Sequence, residues 1–413
     1  MSVMTLRHRP GLTSLDRAEA RARSVRRRVG LTWALLYFNT LTYFPTGIVH
    51  IPSHIGKGLA QSALPLALLV ALSVNPRVRL RPNVFLCIVG LLVLDTVITV
   101  AVAPHLGEVF RTFRLAEFVA ALWLLTPWWG RQDMLLLWCH LRCLSVALGS
   151  VLLGLLIAPG HARGGGRLSG VLWPMPATQV AQYAAVTAGL LIVLWLGRLL
   201  RGRIVLIGVI FAVAILLLTH TRTALLGLIA GVLIAGLSLF TINARVRRFF
   251  AAITAAVSIG VVTLSSFVIT WLARGESTKG LTTLTGRTNF WALVLNMPRT
   301  KFQEIFGFGL SNASVNGLPI DSNWLASYMQ EGLFGVVVCA MILVWLLVTA
   351  FFQPRGVRRA LALFLVTYCL LASFTEDAFT DASPYLLHLA IAASLLIPPL
   401  LRRDEFSAAS TSP

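Results

Sequence analysis

The sequence predicts an all-α, polytopic membrane protein with about 12 transmembrane helices and a large extracytoplasmic loop late in the chain. Three observations carry this. The 413 residues are 57% apolar and only 12% charged, with a mean hydropathy of +0.81, whereas soluble domains carry about 25% charged residues. The apolar residues fall in runs, most of them long enough to cross about 30 Å of hydrocarbon. Short arginine-bearing loops separate those runs at alternate connections.

The N-terminal 30 residues hold eight arginines against Asp16 and Glu19 alone. Leu15, Ala18, Ala22, Val25 and Val29 recur at helical spacing, which predicts a basic amphipathic helix on the cytoplasmic leaflet. Apolar spans are then expected near 31–49, 58–74, 83–103, 110–128, 134–158, 176–197, 204–220, 222–241, 249–272, 323–352, 358–375 and 384–401. Arg142 sits deep in the fifth of these, so 131–142 is read as an interfacial helix ahead of the span. Asp95, Arg114 and Glu117 lie in or beside the third and fourth spans, where ionisable groups pair and face the bundle interior.

Charge placement sets the orientation. Arg77, Arg79 and Arg81, then Arg198, Arg201 and Arg203, then Arg245, Arg247 and Arg248, then Arg355, Arg358 and Arg359, then Arg402 and Arg403 share the side of the N-terminus. Most of the 35 basic residues fall there, so both termini are expected in the cytoplasm. The net charge of +20 is thereby accounted for without nucleic acid, and the aromatic interleaving that base stacking needs is missing. The five cysteines are scattered through apolar stretches and offer neither a disulfide framework nor a zinc spacing. The chain thus divides into a basic segment (1–30), spans (31–272), an outer loop (273–322), further spans (323–401) and a cytoplasmic tail (402–413).

Chemistry is expected on the outer side. Residues 286–335 are polar where their surroundings are apolar, and glycines interrupt them at 307, 309 and 317. Such a segment must lie in water or among protein groups. His220-Thr221-Arg222-Thr223 splits one apolar stretch into two antiparallel helices. The arginine presents a planar fork of donors suited to a diphosphate, and Thr221 is placed to cap the following helix. The Gly/Pro-rich loop 159–176 carries Arg163 and Arg167 toward the same side. Gly286-Arg287 precedes Trp291 by one helical turn, then comes Gly307-Phe308-Gly309. Asp321-Ser322-Asn323-Trp324-Leu325 and Glu331-Gly332-Leu333-Phe334-Gly335 follow. Asp321 is either a reacting carboxylate or the cap of the helix that opens there.

In this order the motifs between about 220 and 335 resemble the O-antigen ligase and O-antigen polymerase superfamily of bacterial inner-membrane glycan transferases. The resemblance implies a metal-independent glycosyltransferase without cofactor, acting on the outer face of the bacterial inner (plasma) membrane. It implies a polyprenyl diphosphate-linked glycan as donor and a glycan, lipid or protein as acceptor. Arg222 and Arg287 match the family arginines that hold the diphosphate. His220, Arg163, Arg167, Trp291, Asn323 and Trp324 are the associated substrate-contact positions expected here. Family ligases carry His-Asn at the late motif, where this chain has Asp321-Ser322. That departure leaves polymerase and divergent transferase open beside ligase. A transporter or flippase is the alternative, although no repeated halves are visible. A polyprenyl-phosphate mannosyltransferase is disfavoured, because the first outer connection is short and holds His50, His54 and Lys57 rather than acids.

Overall fold

In the computed structural model the chain is described over residues 14–43, 48, 52–252, 254, 287–310, 314–315, 318–376 and 379–398, with the side chains of 14–18, 53, 287–290, 314–315 and 318–319 outside the description. The described chain is a helical bundle. In order, its helices are α1 (Ser14–Asn39), α2 (Ser53–Val74), α3 (Val84–Val102), α4 (Leu106–Leu124), α5 (Leu135–Ile157), α6 (Ala177–Leu196), α7 (Gly202–Leu218) and α8 (Arg222–Phe240). Then come α9 (Arg287–Leu295), α10 (Lys301–Phe306), α11 (Asn323–Phe352), α12 (Val357–Ala372) and α13 (Pro384–Leu396). Another helix opens at Ala244, and most of the expected span 249–272 lies outside the described residues. Among the described residues six helices, α2, α3, α5, α6, α8 and α11, are long and apolar enough to cross a membrane, and α7 and α13 are shorter apolar helices. This is a multi-pass helical membrane protein.

Two sequence expectations change. The basic segment and the first apolar run form one unbroken helix, α1, because no strong breaker separates them. Its arginines 26–28 are exposed while Val29, Trp33 and Leu36 are fully buried. Arg142 lies inside the single helix α5, so no separate interfacial helix precedes that span.

α6 and α13 run through the centre and are buried along most of their length. Small residues let α8 and α12 close on them. Gly189 of α6 and Gly231 of α8 both abut the Phe364 ring, and Gly227 abuts Tyr368, leaving no room for a β-carbon. A buried polar chain crosses the same core. The Trp33 indole N–H donates to Nδ1 of His140 at 3.3 Å, and Nε2 of His140 lies 2.8 Å from Nδ1 of His388. The Gln182 amide completes it, 3.1 Å from Nε2 of His388.

The arginine-rich loops meet at one end of the bundle. There Arg358 donates to the carbonyls of Leu395 (3.1 Å) and Ile397 (3.0 Å) and to Gly130 at 3.3 Å, satisfying the open end of α13. At the other end α13 opens with Ser383 as cap, its hydroxyl accepting from the Leu386 N–H at 3.2 Å, and with Pro384 in the first turn.

α11 is broken. Gly332 has φ of 63° and ψ of −158°, which interrupts the ladder inside a thirty-residue helix. The Met329 and Gln330 carbonyls are instead met by the N–H groups of Phe308 (2.9 Å) and Gly309 (2.8 Å). Gly307 and Gly332 pack backbone on backbone at this crossing, both at positive φ. Arg299 clips the same segment down, donating to the carbonyls of Tyr328 (2.9 Å) and Val294 (3.1 Å) and stacking 4.0 Å over the Tyr328 ring. Of the late segment 273–322, the two short described helices therefore lie on α11, and Ser314–Val315 pairs antiparallel with Leu318–Pro319.

The close approach at Gly189 yields a stability test. Gly189→Ala drives a methyl into the Phe364 ring and is expected to cost about 1–3 kcal/mol. Gly149→Ala, at a helix position with nothing within 4 Å of the added carbon, is expected to stay within about 0.5 kcal/mol or gain slightly. Thermal unfolding of the two purified variants in detergent measures the contrast.

Candidate functional site

The polar residues flagged in sequence gather at the end opposite the arginine-rich loops. α7 and α8 are joined by a turn of three residues, in which His220 takes a left-handed φ of 50°. That reversal places Arg222 in the first turn of α8, half-buried. Arg167 holds the turn in shape: its Nε donates to the Thr219 carbonyl and its Nη2 to the Thr221 hydroxyl, both at 3.0 Å. Thr221 occupies the cap position of α8, yet its hydroxyl makes no capping bond and accepts from Arg167 instead. Arg163 is exposed on the outside of the same loop.

The connection between α12 and α13, residues 373–383, was not singled out in sequence, yet it ties the site together. The Thr375 hydroxyl donates to Thr223 at 2.8 Å, one residue from Arg222. The Phe379 N–H donates to Oδ1 of Asn323 at 2.6 Å, and the Asn323 N–H donates to the Ser373 carbonyl at 2.9 Å. Phe374 lies against Trp324 with ring centres 6.1 Å apart. Asp381 receives Arg114 at 3.2 Å, and the same guanidinium nitrogen donates to the Ala382 carbonyl at 3.0 Å. The pairing expected among Asp95, Arg114 and Glu117 therefore does not form, since Arg114 reaches this loop instead. Asp95 is fully buried in α3 without a hydrogen-bond partner among the described residues. The signal for the loop was its run of Glu376, Asp377 and Asp381 between two apolar helices; Asp377 itself lies outside the described residues.

Asp321 is half-buried and directly precedes Ser322, which holds the cap position of α11. Asp321 thus stands one residue before the cap position of that helix. Asn323 is fully buried and serves as the anchor for the 373–379 backbone. Trp291 packs on a small apolar cluster that includes Ile320 and Leu325, the residues flanking the Asp321 turn. Arg287 opens α9 one helical turn before Trp291; its side chain lies outside the described residues.

The structure therefore brings Arg167, His220, Arg222, Asn323 and Trp324 to one loop and seats Asp321 and Trp291 beside it. A guanidinium in the first turn of a helix, near that helix's N-terminal N–H groups, suits an anionic ligand. A half-buried carboxylate on the adjoining turn can accept a proton from a bound hydroxyl. No protein-family model matches the chain, and no curated protein matches it either.

Arg114 and Asp381 give this site a direct test. Arg114→Gln and Asp381→Asn are each expected to lower the melting temperature. In the double variant the losses should fall short of additive by about 0.5–3 kcal/mol, the range for contacting residues. A coupling of zero in that cycle would mean the pair does not hold the 373–383 loop.

Proposed function

We propose that the chain is an O-antigen ligase- or polymerase-like glycosyltransferase, moving a glycan from a polyprenyl diphosphate carrier to an acceptor hydroxyl. In this reading it has twelve spans with both termini cytoplasmic, and the 273–322 segment and the Arg222 turn face outward. The observation that carries the reading is the meeting of the Arg222 turn and the Asp321 turn on one polar loop, 373–383. That loop lies at the end of the bundle away from the arginine-rich connections.

The chemistry follows from the residue types. Asp321 accepts the proton of the acceptor hydroxyl as its oxygen attacks the anomeric carbon of the donor sugar. The bond from that carbon to the diphosphate oxygen breaks, and the departing charge falls on Arg222 and Arg287. Arg167 and Asn323 keep the two turns in register, while His220, Trp291 and Trp324 border the space for substrate, with Arg163 at its rim.

A transporter or flippase is the second reading, and the break at Gly332 favours it, because discontinuous helices mark carrier sites. Transfer from a polyprenyl-diphosphate donor by the purified protein in detergent separates the two, since a carrier has no compartments to work between. For the enzyme, Arg222→Lys and Arg287→Lys are expected to lose roughly 10- to 100-fold, because an ammonium cannot reproduce the paired donors. Asp321→Asn is expected to lose about 10²–10⁴-fold and Asp321→His to keep part of the rate. Normal rates in all four variants would remove these roles.

The topology is checked separately. Cysteines placed at Ser277 and Ser314 are expected to react with a membrane-impermeant reagent in intact cells, and one at Ser24 is not. Labelling at Ser24 alone would turn the protein over and move the site to the cytoplasm.

A further inference from the structure

A groove runs along the flank of the bundle between α1 and α5, remote from the site above. The two helices point the same way, so Arg26 and Arg27 of α1 lie at one end of it, and Arg142, midway along the α5 wall, has a side chain long enough to lean back toward them. Beyond the arginines its walls are apolar, with Ala34 and Phe38 on one side and Val146 and Ala147 on the other. Trp173 and Met175, from the loop before α6, close the far end. The cavity measures about 710 Å³.

An apolar groove on the flank of a membrane protein fills with hydrocarbon, because water against such walls is unfavourable. From Leu135 to Ser150 of α5 the groove covers fifteen helical steps, about 22 Å at 1.5 Å per residue. Half a bilayer with its headgroups is about 20–22 Å. The groove is therefore one leaflet long, which suits a bilayer lipid better than the much longer chain of an isoprenoid carrier.

Charge at the mouth selects the headgroup. Arg26 bonds to Asp133 at 3.1 Å, and Arg131 bonds to the same carboxylate at 3.1 Å. Burial alone would raise the Asp133 carboxyl, but Arg131 and Arg26 outweigh it and hold it below the usual range, so it stays charged and engaged. Arg27 and Arg142 have no carboxylate partner among the described residues and remain to meet an anion. A phosphate is the group that two guanidinium forks recognise.

The geometry points to a binding site for an anionic glycerophospholipid of the leaflet at the basic end, with its phosphate on Arg27 and Arg142 and an acyl chain between α1 and α5. This assignment stands whether or not the chain transfers glycans.

The full chain, purified and delipidated in detergent, is titrated with phosphatidylglycerol, phosphatidylcholine or a polyprenyl monophosphate, and bound lipid is counted by native mass spectrometry. Phosphatidylglycerol is expected to bind saturably and more tightly than the other two. The Arg27→Gln/Arg142→Gln variant is expected to weaken it by roughly thirty-fold, about fivefold per arginine, and to leave phosphatidylcholine unchanged. Ala34→Trp, which fills the groove and spares both arginines, is expected to abolish retention, and it serves as the test if the double variant does not fold. Equal binding of phosphatidylglycerol by wild type and variants, or tighter binding of phosphatidylcholine, would overturn the site. Tighter binding of the polyprenyl monophosphate would overturn the choice of lipid.

Discussion

Two backbone hydrogen bonds, from Phe308 and Gly309 to the carbonyls of Met329 and Gln330, allow α11 to be broken at all. A carbonyl released inside a bundle that crosses lipid has no water to turn to, and each one left bare costs several kcal/mol. The 301–310 segment supplies the missing donors, and glycine is needed where the two backbones touch, at Gly307 and Gly332. The polar stretch that stood out in the sequence is thus structural before it is chemical. Once it is fastened, Arg299 and the Trp291 cluster fix the approach to Asp321, and Asn323 hands the 373–379 backbone its position.

The spans themselves were legible because hydropathy and loop charge are local properties. α11 was placed at its observed bounds, and α6 and α8 within a residue or so. What escaped was mostly non-local. Arg114 and Asp381 are far apart in the chain, so the nearer acids Asp95 and Glu117 looked like the natural partners. The 373–383 loop was hidden by the apolar helices flanking it, the second of which, α13, has only thirteen residues and is buried throughout. Thr221 was given a capping role from its position alone, and only the arrival of Arg167 from the preceding loop reassigns its hydroxyl. The continuity of α1 was missed for a different reason. Composition changes sharply near Val29, but a helix ends only where its backbone is interrupted, and Gly30 alone does not interrupt it.

The arginines of the basic loops carry structure as well as charge. Arg358 is used up on the carbonyls that close α13, and Arg245 on the Trp195 carbonyl at 2.8 Å. The loops are therefore pinned to the ends of helices they do not themselves connect, the α11–α12 connection to α13 and the segment after α8 to α6.

The buried chain from Trp33 to Gln182 has a direction. An indole can only donate, so Nδ1 of His140 must be a bare acceptor and the ring proton sits on Nε2. That proton meets Nδ1 of His388, which must be bare in its turn, so His388 carries its own proton on Nε2. The Gln182 amide then has to be turned over, so that its oxygen takes the place of the nitrogen 3.1 Å from His388 and accepts that proton. Four helices are joined by donors that all point from α1 toward α6. A second proton on either ring would set two donors face to face, so the centre of the bundle admits a single tautomeric pattern and can be recharged only by first being opened.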